Sequence, residues 1–436
     1  MNEKMQQAPS VGARIRTKQV VGMDAHTRKI AISVWEWSDD PWNPRFVVQK
    51  SFDISELERR YEELVDLDSI TILEASINSA VIRRKLFERG FRAEVAKSDV
   101  IAGKERKRKV CDMKDAENIA KAYMKGDVRE FVWVADETHE RRRSIAAAHR
   151  DAQKEMHRNW NRVWSLCCAR RIPLPEETGE EFVETVRARL AEAEIDAVTR
   201  ARFNMLLEDY EHYMKRYAEL DRMILDELPT VEPMIDLMQL PGVYYKSAYV
   251  IEAVVEDVRR FPKASKLSAY AGLAAQKDTS GEEEKRAERK GGCGKPLDPE
   301  GRRDLKYWFC EAGQSVLNAC RGSDLAKWGT HLVFRGKPRN KVVCSIARKE
   351  TIYAWHILRG DPTPNRDGEA LFFRKMIRLA SDIGRERIRA LGFESRTAFA
   401  EYHVNRLYGH LPIKAEDDAA SGARPIRTTG GARQDP

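Results

Sequence analysis

No cysteine pattern in the chain indicates disulfide bonds or zinc. The seven cysteines are an odd number and include no Cys-x-x-Cys pair, so we predict reduced thiols rather than a disulfide framework or a structural zinc site. The sequence also has no apolar run approaching the roughly 20 residues that a membrane-spanning helix needs. Its start, MNEKMQQAPS, lacks the apolar core of a signal peptide. These absences predict a cytoplasmic protein that makes no membrane contact.

A strong excess of one charge is missing as well. The chain has 77 Lys and Arg residues against 69 Asp and Glu residues, a formal net charge of +8, and its pI is about 9.0. Because both signs are abundant, basic patches must be local, and a local basic patch suits nucleic acid as a partner. The length of 436 residues exceeds what one ordinary core covers and predicts two or three domains.

The first part of the chain alternates between strand-like and helix-like segments. Four runs rich in β-branched or aromatic residues, QVVGMD, IAISVWEW, RFVVQKSF and SITIL, predict strands. Helices are predicted near 55–64, 79–89 and 113–124, and a short strand, RAEV, at 92–95. This alternation predicts an α/β domain at 17–140 whose sheet begins with a meander.

The next part, 141–235, is predicted to be helical. It has few glycines and no strand-like alternation, and one break is expected near 173–179. Apolar residues recur at spacings of three and four, which is the stripe of a coiled coil: Phe203, Leu206, Tyr210, Tyr213, Tyr217, Leu220 and Ile224. Such a stripe requires a partner helix. A helical hairpin within the chain and a dimer both satisfy it.

The remainder is predicted to be mostly α-helical. In 236–360, a Pro-Gly pair between two helical patterns resembles a helix–hairpin–helix, whose backbone amides can meet phosphate. A helical extension is predicted at 361–415. The last segment, 416–436, is small, polar and rich in Pro and Gly, so we expect it to be disordered.

Four carboxylates occupy places that suit a metal site. Asp24 follows an apolar strand, Glu74 ends a buried one, and Asp112 and Asp115 lie three apart on one face of a predicted helix. Clustered carboxylates repel one another but bind hard divalent cations such as Mg²⁺ or Mn²⁺. Two such ions roughly 4 Å apart support phosphodiester displacement. Taken singly, an Asp at a strand end is most often a solvated turn residue or a cap, and the joint pattern of four is the stronger signal.

Basic residues near these elements are candidate contacts to nucleic-acid phosphates. Five of them form the run KERKRK just before the predicted helix: Lys104, Arg106, Lys107, Arg108 and Lys109. Four more follow the Pro-Gly turn or begin a later helix: Lys246, Arg302, Arg303 and Lys306. A charge run is also common on an ordinary solvated face. His26 is close to Asp24 in sequence, but a histidine in a turn is more often merely solvated.

These motifs occur in the order of a known family. V-V-G-M-D, then L-E-A, then D-M-K-D-A-E, resembles the amino-terminal domain of the DEDD-type insertion-sequence transposases, also called bridge-RNA-guided recombinases. Independently, L-P-G-V-Y-Y-K-S-A, R-F-P-K-A-S-K-L-S-A-Y-A-G-L and D-T-S-G resemble the family's carboxy-terminal transposase domain in order and spacing. The resemblance covers roughly 19–125 and 236–360.

The resemblance implies a fold and a chemistry. Asp24, Glu74, Asp112 and Asp115 would form the metal site of a RuvC-like (RNase H-like) α/β domain, followed by the coiled-coil insert and a mostly α transposase domain. Ser280 would be the nucleophile, forming a phosphoserine link to DNA and releasing a 3′-hydroxyl; Thr279 is a substitute candidate. Its partners would be target and donor DNA, a guide or bridge RNA and further copies of the chain in a dimer or tetramer, in a bacterial or archaeal cytoplasm or nucleoid.

The function expected from this reading is excision and insertion of an insertion sequence by cutting and rejoining DNA strands. Two alternatives stay open from the residues. One keeps the metal site but uses water, as in a structure-selective nuclease of the Holliday-junction type. The other is a non-catalytic nucleic-acid-binding protein in which the carboxylates only cap helices and meet solvent.

Overall fold

The structure, a computed structural model, describes residues 17–38, 43–97, 111–128, 130–174, 176–274, 297, 301–320, 322–361 and 366–409. The fold is mixed α/β. The chain divides into unit 1, Met1–Thr138, and unit 2, His139–Pro436. None of the helices within the described ranges is long and apolar enough to cross a membrane.

Unit 1 is built on a five-stranded mixed sheet of order β3-β2-β1-β4-β5. The strands are β1 (Gln19–Ala25), β2 (Lys29–Glu36), β3 (Arg45–Asp53), β4 (Ser69–Glu74) and β5 (Arg92–Ala96). β1 pairs antiparallel with β2 and parallel with β4, β2 pairs antiparallel with β3, and β4 pairs parallel with β5. The predicted strands and the opening meander are therefore confirmed.

Helices cover both faces of this sheet. They are α1 (Leu57–Leu64), α2 (Ser79–Glu88) and α3 (Asp112–Lys125). Along β1 the side chains alternate, so that Val21 packs on the α1 and α2 side with Tyr61, whereas Val20 packs on the α3 side with Ile119. Burial of both faces explains why β1, β2 and β4 read as nearly continuous apolar runs, whereas the edge strand β3 is largely exposed.

The described helices from residue 137 onward are α4 (Glu137–Ala169), α5 (Glu180–Glu192), α6 (Ala197–Glu227), α7 (Glu232–Leu237), α8 (Tyr245–Val255), α9 (Ala264–Tyr270), α10 (Arg303–Asn318), α11 (Asp324–Phe334), α12 (Arg339–Leu358), α13 (Glu369–Ile383), α14 (Arg385–Ala390) and α15 (Arg396–Tyr408). The predicted break near 173–179 falls between α4 and α5. A second break, at 193–196, was not predicted. There the Asp196 side chain accepts a hydrogen bond from the Thr199 amide at 2.8 Å and begins α6.

The apolar stripe of α6 has partners within its own chain. Phe203, Leu207 and Tyr210 are buried in a cluster with residues of α4 and α5, including Val163 and Phe182. The buried position is Leu207 rather than the expected Leu206, which is half-buried. Along its first half, the stripe therefore packs against helices of its own chain, as a helical hairpin requires. The dimer stays a prediction that nothing here tests.

The main core of unit 2 extends from the end of α6 to α15. It includes Ile224 of α6, Tyr249 of α8, Phe309 of α10 and Phe372 of α13. Residues of the predicted extension at 361–415 thus share one core with the predicted transposase domain. The predicted tail at 416–436 lies outside the described residues.

Candidate metal centre

Asp24 and Glu74 end two neighbouring parallel strands. In the β1–β4 register Met23 faces Leu73, and each carboxylate is the next residue of its strand. Asp24 is 8% exposed, and Glu74 is half-buried. The carboxyl ends of parallel strands meet at one edge of a sheet, which is a common place for ligands in α/β folds.

Gly22 allows α3 to approach β1 closely enough to bring the other two carboxylates to this edge. A Cβ atom at Gly22 would lie 1.9 Å from the Ala116 carbonyl oxygen and 2.6 Å from the Ala120 nitrogen. The backbones of β1 and α3 are therefore in direct contact. As a result, the first turn of α3, which contains Asp112 and Asp115, lies beside the end of β1.

His26 lies between two of the carboxylates. Its Nε2 atom is 3.2 Å from Asp24 Oδ2 and 3.5 Å from Asp112 Oδ1. The turn between β1 and β2 holds it there, because the His26 amide donates to the Lys29 carbonyl at 2.9 Å and the His26 carbonyl accepts from Asn78 Nδ2 at 3.0 Å. The ligand atoms of Asp24, His26 and Asp112 all lie within 4.8 Å of one another.

The electrostatics of the four carboxylates identify them as one cluster. Burial raises the pKa of Asp24; the charges of Asp115, Asp112 and Glu74 raise it further, and His26 opposes them. Burial also raises the pKa of Asp115, together with the charges of Glu74 and Asp112. Within the described part of the chain, no Lys or Arg forms an ion pair with any of the four. The cluster is thus negatively charged and short of cations.

This donor set fits a hard divalent cation. Carboxylate oxygens are the ligands that Mg²⁺ and Mn²⁺ prefer, and such an ion would relieve the repulsion among Asp24, Asp112, Asp115 and Glu74. The His26 imidazole is a less usual ligand for Mg²⁺. Its place beside two carboxylates was missed by sequence reasoning, although its position two residues after Asp24, in a tight turn, is the signal that could have found it.

The other predicted site residues belong to unit 2 or lie outside the described residues. Ser280 and Thr279 are outside, as are the five basic residues of the run KERKRK: Lys104, Arg106, Lys107, Arg108 and Lys109. Lys246 of α8 lies 3.1 Å from Asp221. Arg302 makes a two-point contact with Asp304, at 2.6 and 3.2 Å. Arg303 is exposed and Lys306 half-buried, both on α10.

A comparison with protein families matches another part of the chain. Residues 236–327 match the model of the family described as Transposase IS116/IS110/IS902 family. The matched range includes Ser280, Lys246 and the start of α10. No curated protein matches the chain. The family match supports an insertion-sequence transposase, an enzyme that binds, cuts and rejoins DNA.

Proposed function

We propose that the chain is a DNA recombinase that excises and inserts an insertion sequence, with unit 1 acting as a RuvC-like nuclease domain. The observation that supports it most is the convergence of Asp24, Glu74, Asp112 and Asp115 at the ends of two parallel strands. A sheet that opens with an antiparallel meander and continues with parallel strands suits that assignment. The family match at 236–327 supplies the class of reaction.

In this proposal the four carboxylates hold Mg²⁺ or Mn²⁺. When bound at such a site, these cations activate an attacking oxygen and stabilise a leaving oxygen in phosphodiester displacement. Asp24 is buried near the end of β1, and the first turn of α3 supplies Asp112 and Asp115. His26 orients Asp24 and Asp112, because its ring lies within 3.5 Å of both.

The nucleophile in this proposal is Ser280. A bond forms between its Oγ and the DNA phosphorus, the bond from phosphorus to the 3′-oxygen breaks, the serine loses its proton, and the leaving 3′-oxygen gains one. The phosphoserine ester retains the energy of the broken bond for rejoining to another strand. A serine hydroxyl is a weak nucleophile and needs activation. This step depends on the sequence resemblance and the family match.

Three further parts of the proposal also depend on the resemblance. They are guidance by a bridge RNA, assembly into a dimer or tetramer, and action in a bacterial or archaeal cytoplasm or nucleoid. In such guidance, base pairing by the RNA selects the DNA sequence. A basic protein then needs to contact only the nucleic-acid backbone and not the bases. Target and donor DNA are the substrates.

The test is a search for a protein–DNA adduct that survives denaturation. Purified full-length protein is mixed with the DNA that flanks its gene, RNA transcribed from that DNA, and Mg²⁺. Ser280→Ala and Asp24→Asn are compared with wild type, and Thr279→Ala is the matched control for a neighbouring hydroxyl. We expect an adduct with wild type and Thr279→Ala, and none with Ser280→Ala or Asp24→Asn.

Each other outcome selects an alternative. Cleavage that leaves a plain 5′-phosphate, with no adduct in any variant, would replace the proposal by the water-using nuclease. If Asp24→Asn and Glu74→Gln left every nucleic-acid activity unchanged, the non-catalytic binding protein would be favoured. An adduct lost in Thr279→Ala but kept in Ser280→Ala would move the nucleophile by one residue.

A further inference from the structure

A groove of about 870 Å³ lies in unit 2, formed by α4, α6 and α10. Its walls are basic, and no Asp or Glu is among the described residues that line it. The cationic side chains come from α4 and α6: Arg150, Lys154, Arg158, Arg162 and Arg202. None of these residues is among the phosphate contacts expected from the sequence.

Four of these cations form a regular stripe along one face of α4. Arg150, Lys154, Arg158 and Arg162 are each four residues apart, and four residues of α-helix rise about 6 Å. The stripe is therefore about 18 Å long. Like charges at this spacing repel each other and destabilise a helix. A polyanion with a negative charge at every repeat would remove this repulsion.

The charges of the stripe are available to such a ligand. Lys154 and Arg158 have partners on α4 itself, Asp151 at 3.0 Å and Glu155 at 2.6 Å. Such exposed pairs contribute little to stability and exchange readily. Arg162 and Arg202 form no ion pair with any carboxylate of the described chain, and both are exposed. Arg162 donates one long hydrogen bond, to Asn159 Oδ1 at 3.4 Å, so both guanidinium groups keep most of their donors for a ligand.

One end of the stripe offers a flat surface in addition to charge. The Arg150 guanidinium carbon lies 3.9 Å from the centre of the Tyr307 ring, and both residues line the groove. Stacked Arg and aromatic side chains are surfaces on which unpaired nucleic-acid bases stack.

We infer that this groove binds the phosphate backbone of a nucleic acid. A stripe of about 18 Å exceeds a single phosphate group and fits several consecutive ones. The inference rests on the proposed function only for the kind of polyanion that the protein meets, and it uses no residue of the metal centre. DNA and RNA share the backbone chemistry, and the experiment separates them.

The test measures binding without catalysis. Full-length protein in EDTA is titrated into fluorescently labelled oligonucleotides of one sequence, as duplex DNA, single-stranded DNA or RNA, at several salt concentrations. The variant is Arg162→Gln/Arg202→Gln. The matched control is Arg385→Gln/Arg389→Gln on α14, where both arginines are exposed, four residues apart and outside the groove.

We expect the groove variant to weaken binding about tenfold or more near 0.1 M salt and to reduce the log–log salt slope by about 2, one for each lost phosphate contact. The control keeps wild-type affinity and slope. Loss confined to RNA, or to DNA, assigns the groove to that polymer; loss with both assigns it to either backbone. Equal affinities and slopes for wild type, variant and control with every oligonucleotide overturn the inference.

Failure of this inference can be told from failure of the proposed function. If wild type forms the phosphoserine adduct while the groove variant binds normally, the groove assignment fails and the recombinase proposal stands. If the groove variant loses affinity while no protein forms an adduct or cleaves DNA, the groove assignment stands and the recombinase proposal fails.

Discussion

Asp24 occupies a position that disfavours its ionised form. The residue is buried, three other carboxylates raise its pKa further, and His26 offsets only part of this effect. Without a ligand, such an arrangement lowers the stability of the folded state, because removing a carboxylate from water disfavours its ionised form. Perturbed groups of this kind concentrate at functional sites. A divalent cation bound by the carboxylates would replace the lost solvation and stabilise their ionised forms. This is the physical reason for proposing a metal at this cluster.

His403, in contrast to Asp24, is a buried ionisable group that we do not assign to a ligand site. It is 4% exposed and packs against the rings of Phe399 and Tyr402. Neither ring nitrogen has a hydrogen-bond partner within the described structure. Burial, with the positive charge of Arg406, lowers the pKa of His403 to about 4. The native state therefore holds a neutral imidazole in an aromatic cluster.

His403→Phe should remove a pH dependence of stability. The pKa of His403 in the folded state is below its ordinary value of 6.5. The contribution of the neutral, buried imidazole to folding stability is therefore fully present above about pH 6.5 and is lost as pH falls towards 4. The wild type should lose about 3 kcal/mol more than the variant between about pH 7 and about pH 4. Unfolding in urea at several pH values, followed by circular dichroism, measures the difference.

The matched control for this experiment is His212→Phe, since His212 is exposed on α6. It should follow the wild-type pH profile. Parallel profiles for wild type and His403→Phe would show that folded and unfolded His403 bind the proton over the same pH range, and would contradict the prediction.

At the scale of elements, the contact between α3 and β1 decides whether the site can form. The Gly22 backbone touches the backbone of α3 at Ala116 and Ala120, and backbone atoms cannot rotate away as a flexible side chain can. Any side chain at position 22 must move the helix. Because Asp112 and Asp115 are in the first turn of α3, such a movement also moves two of the four carboxylates.

Gly22→Ala is therefore expected to lower both stability and metal-dependent activity. Overpacking of this kind costs about 1–3 kcal/mol, and more where backbone must shift. The apparent Tm and the yield of cleaved or adducted DNA measure the two effects. Gly322→Ala is the control, because Gly322 is exposed and has open space around its Cβ position; it should change stability by less than about 0.5 kcal/mol. Wild-type Tm and activity in Gly22→Ala would contradict the role of this contact.

The elements that the sequence predicted well are those with continuous apolar signals. The five strands and α1–α3 follow from β-branched or aromatic runs and helical spacing, and the runs of β1, β2 and β4 are clearest because both faces of these strands are buried. The break before α6 was missed because its signal is a single cap, Asp196, with no Pro or Gly beside it. The buried member of the α6 stripe was Leu207 rather than Leu206, since packing against α4 and α5, and not spacing alone, selects the inward face.

The candidate site was only partly predictable for a related reason. The positions of Asp24 and Glu74 follow from strand ends, and those of Asp112 and Asp115 from helical spacing. The position of His26 between Asp24 and Asp112 depends on the turn geometry and on Asn78, which is 52 residues away along the chain. Similarly, the groove depends on Arg202 and Tyr307 joining a stripe on α4, and no local pattern reveals that contact.

At the scale of the whole molecule, the two units contain different parts of the proposed function. Unit 1 contains the four carboxylates, whereas unit 2 contains the segment that matches the transposase family and the basic groove. The charge distribution fits this division, since the carboxylate cluster lacks Lys and Arg partners in the described chain and the groove lining lacks Asp and Glu. The two proposals accordingly assign a cation to unit 1 and a polyanion to unit 2.

Adding Mg²⁺ or Mn²⁺ should therefore stabilise unit 1 in particular. A ligand at 100 times its dissociation constant adds about 2.7 kcal/mol to the state that binds it. Hydrogen–deuterium exchange should slow in peptides from β1, β4 and α3 when the metal is added, and stay unchanged in peptides from α12. Chelation with EDTA should return exchange to its original rate. Slower exchange throughout unit 2 as well, or none in β1, would contradict a metal site at Asp24.

Asp24→Asn separates metal binding from ordinary electrostatics. Without metal, this variant should be more stable than wild type, because it removes one buried charge from a cluster of like charges, and the metal should no longer protect β1 and α3. Asp66→Asn is the matched control, since Asp66 is a carboxylate of unit 1 that pairs with Lys18 at 2.6 Å on the surface. It should change stability little, because exposed ion pairs contribute little, and it should keep the full metal response. If both variants kept that response, the cation would bind elsewhere, and the carboxylate cluster would have to be stabilised by groups other than a metal.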